Sequence, residues 1–312
     1  MTYTLIGVDP GTDQVGIATQ SHFFATGRDV PWVLAGVGAV ATQAFVDSAS
    51  GPRGLDLLRR GWSAPQVIEA LLEADPARAG RQLAVVDASG SIVVHTGVNC
   101  APTAGHVLGQ DMAALGNILA SRAVLTAMID AFRACDRDLA ERLLTGLEAG
   151  EAAGGDIRGG QSAALVVTSL RAGGPTTAVV RPRIDVRVDD HPMPLAELRR
   201  LVGLDCWYAE LSRLLNASGL FTGGMTDDAS LVERALAHLD DGRALMVDNQ
   251  EPAFWLGVLL ARLNRERDAT QVLRPAIQAR PSLGELFRRL GSQGGYMEHI
   301  VAQRILVGIR EF

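Results

Sequence analysis

A glycine-rich segment near the middle of the chain surrounds one carboxylate and one guanidinium with backbone that can approach a ligand closely. Residues 154–160 read Gly-Gly-Asp-Ile-Arg-Gly-Gly, so glycine pairs flank Asp156 and Arg158. Glycine has no Cβ atom, and its backbone N–H groups can form concave anion sites. Arg158 could bind a substrate carboxylate through two hydrogen bonds while Asp156 holds the guanidinium in place. A turn braced by an Asp–Arg pair explains the pattern equally well.

A predicted β-hairpin at the amino end brings further reactive side chains together. Residues 2–8 alternate like a strand, residues 9–13 are turn-forming types, and a second strand is expected over residues 15–20. With the turn centred near residues 11 and 12, Thr2 pairs with residue 21 or 22, so Ser21 and His22 lie beside it. His22 could bind substrate or assist a nucleophile, although isolated histidines often have structural roles.

Several kinds of chemistry are excluded or disfavoured by what the chain lacks. It contains no lysine, since all 29 basic residues are arginine, and this excludes Schiff bases, Ser-Lys dyads and lysine-dependent phosphate loops. The run Asp189-Asp190-His191 offers ligand types without the spacing of a known metal site, so neither a metal nor another cofactor is predicted. Cys100 lies in an expected loop without activating neighbours, and a thiol nucleophile paired with His106 is not predicted.

Composition and charge indicate a globular protein that acts on small molecules or proteins. The formal charge of -6 is spread without a basic stripe, which argues against nucleic acid and against a membrane surface as partners. No apolar run reaches the ~18 residues of a membrane span, and the first ten residues lack the features of a secretory signal. Three widely spaced cysteines suit a reducing compartment, so a cytoplasmic location is expected.

The order of the expected elements predicts an α+β domain followed by a helical region. Strands, helices, strands, helices and strands succeed one another up to about residue 190, which favours sheets with segregated helices over βαβ alternation. Two sheets enclosed between helical layers would fit this order. The expected strands cover about 2–8, 15–20, 36–42, 81–86, 91–96, 163–170 and 184–188, and the expected helices about 54–60, 65–73, 122–134 and 138–149. We expect one domain over residues 1–192 and a helical region over residues 193–312.

Part of the helical region has the spacing of one tetratricopeptide unit, over about residues 250–283. The matching positions are Leu256, Gly257, Ala269, Leu273, Ala276 and Pro281. A single unit of this kind cannot bury its own apolar face, so it must pack against other segments or another subunit. An ordinary helical hairpin that serves packing or dimerisation is the alternative.

A set of short motifs is spread over about the first 200 residues: Thr2–Leu5, Gln20–Phe23 followed by Gly27, Val30–Trp32, Ala35–Gln43, Gly51-Pro52, Arg81-Gln82, Val86-Asp87, Gly105-His106, Gly116–Leu119, Gly154–Leu165 and Arg187–Pro192. In these motifs the chain resembles a bacterial family of uncharacterised proteins, DUF1028, which is grouped with the N-terminal-nucleophile (Ntn) hydrolases. The resemblance implies a four-layer αββα sandwich related to proteasome subunits and γ-glutamyl transferases. Some members carry lysine where His22 stands here and others histidine, which argues against a lysine-dependent mechanism.

The resemblance implies that Thr2 is the nucleophile once Met1 is removed. In an Ntn hydrolase the first side chain attacks the substrate and the α-amine of the same residue is the base; an amine with pKa near ~8 suits this role. His22 and Asn117 are the other predicted catalytic residues, with the Asn117 amide as a donor to the oxyanion. Ser21, His106, Asp156 and Arg158 are predicted to bind substrate. A Met-Thr start is also common in proteins without this chemistry, and Asn117 could be a turn residue at a strand end.

The predicted function is hydrolysis of a C–N bond in a small, anionic amide, imide or cyclic ureide through an acyl-enzyme on Thr2. One alternative is a non-catalytic scaffold whose helical tail contacts other proteins. Another is a proteasome-like threonine peptidase, which the absence of lysine disfavours. By analogy with related folds, a homodimer is expected.

Overall fold

The computed structural model describes residues 2–171, 182–293 and 295–310 and divides the chain into two compact units. The first unit is Met1–Val202 and the second is Gly203–Phe312. The expected boundary at residue 192 lies just before a helix, Pro194–Asn216, within which the two units meet in the sequence. Met1, whose removal the Thr2 hypothesis requires, lies outside the described residues.

The described part of the first unit alternates strands and helices, and the second unit is helical. The strands are β1 (Tyr3–Asp9), β2 (Gln14–Ser21), β3 (Pro31–Leu34), β4 (Gly38–Ala44), β5 (Arg81–Asp87), β6 (Ile92–Thr96), β7 (Gly105–Gly109), β8 (Met112–Gly116), β9 (Ser162–Ser169) and β10 (Ile184–Val188). The helices are α1 (Thr26–Asp29), α2 (Ser50–Arg59), α3 (Ala64–Glu73), α4 (Ala123–Ala134), α5 (Leu139–Ala152), α6 (Pro194–Asn216), α7 (Ala229–Leu245), α8 (Glu251–Arg262), α9 (Glu266–Ala279), α10 (Ser282–Gln293) and α11 (His299–Arg310).

The strands form two antiparallel sheets. A six-stranded sheet has the order β10-β9-β2-β1-β8-β7, and a four-stranded sheet has the order β3-β4-β5-β6. In the first hairpin Tyr3 pairs with Gln20, so the register places Thr2 opposite Ser21 and confirms the predicted pairing with residue 21. The α+β class and the carboxyl-terminal helical region are also confirmed.

Three apolar clusters hold the first unit together, and the alternation of each strand decides which cluster its side chains join. One cluster contains residues of both sheets, including Ile6, Ile17, Ala41 and Val86. A second joins the opposite face of the six-stranded sheet to α4 and α5, and a third joins the four-stranded sheet to α2 and α3. Each sheet therefore buries both of its faces, which explains the nearly continuous apolar runs in β1, β4 and β5.

Local sequence signals explain most of the predicted elements. The backbone N–H of Ser63 donates to the Gln66 side chain at 2.9 Å at the start of α3, and Asp138 accepts from the backbone of Glu141 at the start of α5. β10 has the predicted bounds. The sequence analysis missed α1, β3 and the β7–β8 hairpin, because these segments are short or consist largely of glycine and alanine, which have weak strand propensity.

In the helical unit, α8 and α9 pack as a pair, which fits an ordinary helical hairpin as well as the predicted tetratricopeptide unit. Ala269, Leu273 and Ala276 are buried. A Cβ atom at Gly257 would come within 2.3 Å of Leu273, so only glycine permits this close approach of the two helices. Among the described residues, no helix has the length and apolar character needed to cross a membrane.

Replacement of Asp87 should reduce stability near neutral pH and lose its effect in acid. Burial raises the pKa of this carboxyl, but hydrogen bonds from Ser89, from the backbone of Ala64 at 2.8 Å and from Ser91 outweigh burial and lower it. Its stabilising effect is therefore complete above the unfolded pKa of ~3.9 and disappears as the pH falls through the folded value. Asp87→Asn should cost about 1–3 kcal/mol at pH 7 and progressively less below pH ~4 in urea unfolding.

The exposed Asp130 on α4 provides the matched control. Asp130→Asn should leave the unfolding free energy at pH 7 within about 0.5 kcal/mol of wild type. An Asp87→Asn penalty that stays constant down to pH 3 would contradict the assignment.

Arg262 is predicted to stabilise the helical unit through its hydrogen bonds to backbone carbonyls. Its guanidinium donates to the carbonyls of Leu220, Gly223, Gly219, Gly295 and Tyr296, so each of its five N–H groups has an acceptor. Lysine has three donors and cannot reproduce this planar arrangement. Arg262→Lys should cost about 1.5–3 kcal/mol in thermal or urea unfolding. Arg265→Lys, at an exposed pair with Asp268, should cost less than about 1 kcal/mol.

Candidate active site

The inner faces of the two sheets are polar at one end. Seven buried residues there have at most 4% of their surface exposed: Thr2, Thr4, Thr19, Ser21, Gln43, Gln82 and Asn117. Farther along the same face of β1 and β2 the residues are apolar, as at Ile6 and Ile17. Buried polar groups require partners, so this end of the sheets is organised by hydrogen bonds.

Thr2 lies at the start of the central strand β1, with β2 on one side and β8 on the other. Its Oγ1 donates to Ser21 Oγ at 3.3 Å. Its carbonyl accepts from Gln43 Nε2 at 3.2 Å and from the backbone N–H of Asn117 at 3.2 Å. The backbone of Thr2 is therefore fixed by both sheets, and its hydroxyl lies beside a second hydroxyl.

Gln82 connects the two sheets at this polar end. Its Oε1 accepts from Gln43 Nε2 at 3.0 Å and from Asn117 Nδ2 at 2.8 Å. Its Nε2 lies within donor distance of the carbonyls of Gly116 and Gly105, at 2.8 and 3.0 Å. Because Oε1 can only accept, it fixes the orientation of both neighbouring amides, and Asn117 must direct its NH₂ group toward Gln82.

Two residues next to this network have a left-handed backbone that is unusual for their types. Ala44, at the end of β4, has φ of 71°, and Ile118, directly after Asn117, has φ of 46°. A left-handed β-branched residue such as Ile118 costs on the order of 1–3 kcal/mol, and such strain is often found at functional sites. Both residues line a small cavity of about 100 Å³ that also contacts Asn117 and Phe45.

The glycine-rich segment lies next to the end of β2. Gly154, Gly155 and Gly159 have positive φ, as the predicted close turn requires. Asp156 is 3% exposed; its carboxylate accepts from Arg158 Nε at 3.2 Å and from Arg158 Nη2 at 2.9 Å. The same carboxylate accepts from the backbone N–H of His22 at 3.3 Å, while the His22 side chain is exposed. Asp156 therefore holds Arg158 as predicted and also fixes the chain after Ser21.

His106 and Cys100 belong to the periphery of the site. His106 Nδ1 is 2.9 Å from Thr96 Oγ1, which in turn is 3.1 Å from Gln82 Nε2. Burial, followed by the nearby His95, lowers the pKa of His106. Burial raises the pKa of the Cys100 thiol, which disfavours the thiolate and agrees with the absence of activating neighbours in the sequence.

Thr2 opens onto a cleft of about 430 Å³, a volume typical of small-molecule sites. Its walls include Phe23, Phe45 and Val46, and the paired residues Arg28 and Asp29. Within the described residues, Thr2 alone of the seven predicted site residues lines this cleft. Asn117 lines the small cavity, which shares Ala44 and Phe45 with the cleft.

A larger cavity, of about 640 Å³, lies in the helical unit beside Arg262. Because the N–H groups of Arg262 already have carbonyl acceptors, this guanidinium has no donor left for a ligand. The cleft at Thr2 combines a suitable volume with a residue that carries a buried side-chain hydroxyl, and it is the stronger candidate.

Thr2 thus forms hydrogen bonds with the Ser21 side chain and with the backbone of Asn117. Asp156 holds Arg158 and the backbone of His22 next to Ser21, and His106 is linked to this group through Thr96 and Gln82. The sequence analysis gave no role to Gln43 or Gln82. The available signal was a glutamine at an inner-face position of an otherwise apolar strand, as at Gln82 in Arg-Gln-Leu-Ala-Val-Val.

Comparisons with known proteins agree with the class of fold described above, a mixed α+β unit with two antiparallel sheets. The sequence profile of a family of unknown function, DUF1028, matches residues 2–198. The chain therefore belongs to family DUF1028. A crystal structure of a DUF1028 protein from Silicibacter pomeroyi is similar to the chain, with 31% sequence identity and a TM-score of 0.60, over 68% of this chain and 90% of that one. No curated protein matches significantly.

Removal of the Gln82 amide should destabilise the first unit strongly. Gln82→Met keeps a similar volume but leaves the amides of Gln43 and Asn117 without their shared acceptor and removes one donor from the carbonyl of Gly116. Each unsatisfied buried group costs about 1–3 kcal/mol, so a total loss of about 2–5 kcal/mol is expected in urea unfolding. Gln271→Met, at an exposed position on α9, is the control and should change little. A loss no larger than that of the control would show that the network contributes little to stability.

Proposed function

We propose that this protein is an Ntn-type hydrolase that cleaves a C–N bond in a small, anionic amide, imide or cyclic ureide, with Thr2 as the nucleophile. The observation that carries the proposal is the position of Thr2. Thr2 directly precedes β1, one of the two central strands, and lines a cleft of about 430 Å³, while two hydrogen bonds hold its carbonyl. A nucleophile that is also the first residue needs such a fixed backbone, because its amine and hydroxyl must act on the same substrate carbonyl.

The arrangement of clusters supports the Ntn interpretation of the fold. An apolar cluster shared by two sheets, with α4 and α5 packed on one outer face and α2 and α3 on the other, is what a four-layer αββα sandwich requires. Fold alone does not define function, so the argument depends on the site.

The reaction would proceed through an acyl-enzyme. The α-amine of a mature chain that begins at Thr2 accepts the hydroxyl proton as Oγ1 attacks the substrate carbonyl carbon. The resulting ammonium group donates a proton to the leaving nitrogen as the C–N bond breaks. Water then attacks the ester on Thr2, the amine again accepts a proton, and the carboxylic acid product leaves with Oγ1 restored. These steps need no cofactor.

The neighbouring residues have assignable roles in this scheme. Asn117 Nδ2 carries two hydrogens, one of which is directed to Gln82, and the other is the proposed donor to the oxyanion. Ser21 orients the Thr2 hydroxyl through the 3.3 Å hydrogen bond. Arg158, held by Asp156, is proposed to bind the carboxylate of the substrate, with His22 and His106 in supporting positions. A homodimer and a cytoplasmic location remain part of the proposal.

Chemical modification of the amino terminus provides the sharpest test, because the chain contains no lysine. An α-amine freed at Thr2 is then the only primary amine in the protein. A β-lactone should add one acyl group to Thr2 in the untagged protein, as shown by intact mass and peptide mapping. Prior acetylation of the amine with an N-hydroxysuccinimide ester should suppress that adduct, because it removes the base.

Two variants complete the experiment. Thr2→Ala should give no adduct, whereas Thr2→Ser keeps a hydroxyl and should react. The exposed Thr12, in the turn between β1 and β2, serves as the control, and Thr12→Ala should react like wild type. Retention of Met1, or an adduct on another residue, would reject the Thr2 mechanism and favour the scaffold. Cleavage of general protein substrates would favour the peptidase.

A further inference from the structure

The residues that line the Thr2 cleft indicate which kind of substrate group would bind in it. Phe23 and Phe45 line the cleft with 56% and 64% of their surfaces exposed, and Val46 is 42% exposed. Large apolar side chains that cluster at the surface of a concave site usually mark a binding surface, because a ligand that covers them removes apolar area from water. The described walls beside the proposed nucleophile are thus partly aromatic.

The charged residues of the same cleft neutralise one another. Arg28 Nε and Nη2 donate to the two carboxylate oxygens of Asp29 at 3.1 and 3.0 Å, which is a bidentate pair. The carboxylate of Asp189 also lies close enough to act on Arg28. Within the described lining, no positive charge is left without a carboxylate, so this part of the site does not favour an anionic group.

We propose that the cleft binds the acyl side of the substrate and that this acyl group is apolar, with one planar ring or a short hydrocarbon chain between Phe23 and Phe45. The inference rests on the proposed function, in which Thr2 attacks the acyl carbon at one end of the cleft. It deepens that function by assigning the apolar part of the substrate to the cleft and any carboxylate to a position outside it, such as Arg158.

Phe45 is the specificity-determining residue in this arrangement. It lines both the cleft of about 430 Å³ and the cavity of about 100 Å³ beside Asn117. Its ring lies against Gly80, where a Cβ atom would come within 3.0 Å of the ring, and its backbone N–H donates to the Gly80 carbonyl at 3.3 Å. Phe45 therefore contacts both spaces while its ring packs on Gly80, and in this proposal it limits how far an acyl group can extend toward Asn117.

Binding of two simple amides to the full chain tests the proposal without requiring turnover. Phenylacetamide carries an apolar ring on its acyl side, and succinamate carries a carboxylate at a similar distance. In ligand-observed NMR or calorimetry with the Thr2→Ala variant, phenylacetamide should bind about tenfold more tightly than succinamate, a difference of ~1.4 kcal/mol. Equal or tighter binding of succinamate, or no saturable binding of phenylacetamide, would overturn the proposal.

Alanine substitutions locate the binding surface. Phe23→Ala and Phe45→Ala should each weaken phenylacetamide binding by about 3- to 10-fold, the usual effect of losing an aromatic contact. Phe24→Ala is the matched control, since Phe24 is adjacent and equally exposed at 55% but does not line the cleft. An equal loss in Phe24→Ala would overturn the assignment. If the ring binds as expected but Thr2 forms no adduct, the apolar site stands and the hydrolase proposal fails.

Discussion

The two sheets are joined at their polar end by hydrogen bonds from amide side chains. Gln82 Oε1 accepts from Gln43 in its own sheet and from Asn117 in the other, and Gln43 Nε2 reaches the carbonyl of Thr2. Thr2, the proposed oxyanion donor Asn117 and the neighbouring strand ends all depend on this network for their positions. Since each amide is buried, the network must be formed completely to be favourable. The positions of these side chains therefore depend on the packing of the two sheets against each other.

The polar end of the sheets also has two strained backbone positions and an exposed aromatic side chain. The left-handed Ala44 ends β4 just before the exposed Phe45, and the left-handed Ile118 follows Asn117. Both conformations have an energetic cost that the surrounding sheets must offset. Ala44 and Phe45 line both the cleft and the small cavity, whereas Ile118 lines only the small cavity.

The sequence predicted the features that depend on local patterns. The hairpin register between Thr2 and Ser21, the start of α3 at Ser63, the strand Ile184–Val188 and the Asp156–Arg158 pair all follow from residues close together in the chain. The β7–β8 hairpin was not predicted, because glycine and alanine give little strand signal. The role of Gln82 could not be predicted either, since its partners at residues 43 and 117 are brought to it only by sheet pairing and packing. The presence of both Phe23 and Phe45 in one cleft could not be predicted for the same reason, because folding brings these two distant residues together.

The change from polar to apolar side chains along the inner face of β1 affects how the unit responds to solvent. Thr2 and Thr4 belong to the hydrogen-bonded end, whereas Ile6 and Val8 lie in the apolar cluster shared by the sheets. Water that enters through the cleft can replace hydrogen bonds at the first end but has no polar partner at the second. Amide protons near Thr2 can therefore exchange with deuterium through small local openings. Those near Ile6 exchange only when the pairing of β1 with β2 and β8 opens beneath the apolar cluster, so a single strand reports both local fluctuation and global unfolding.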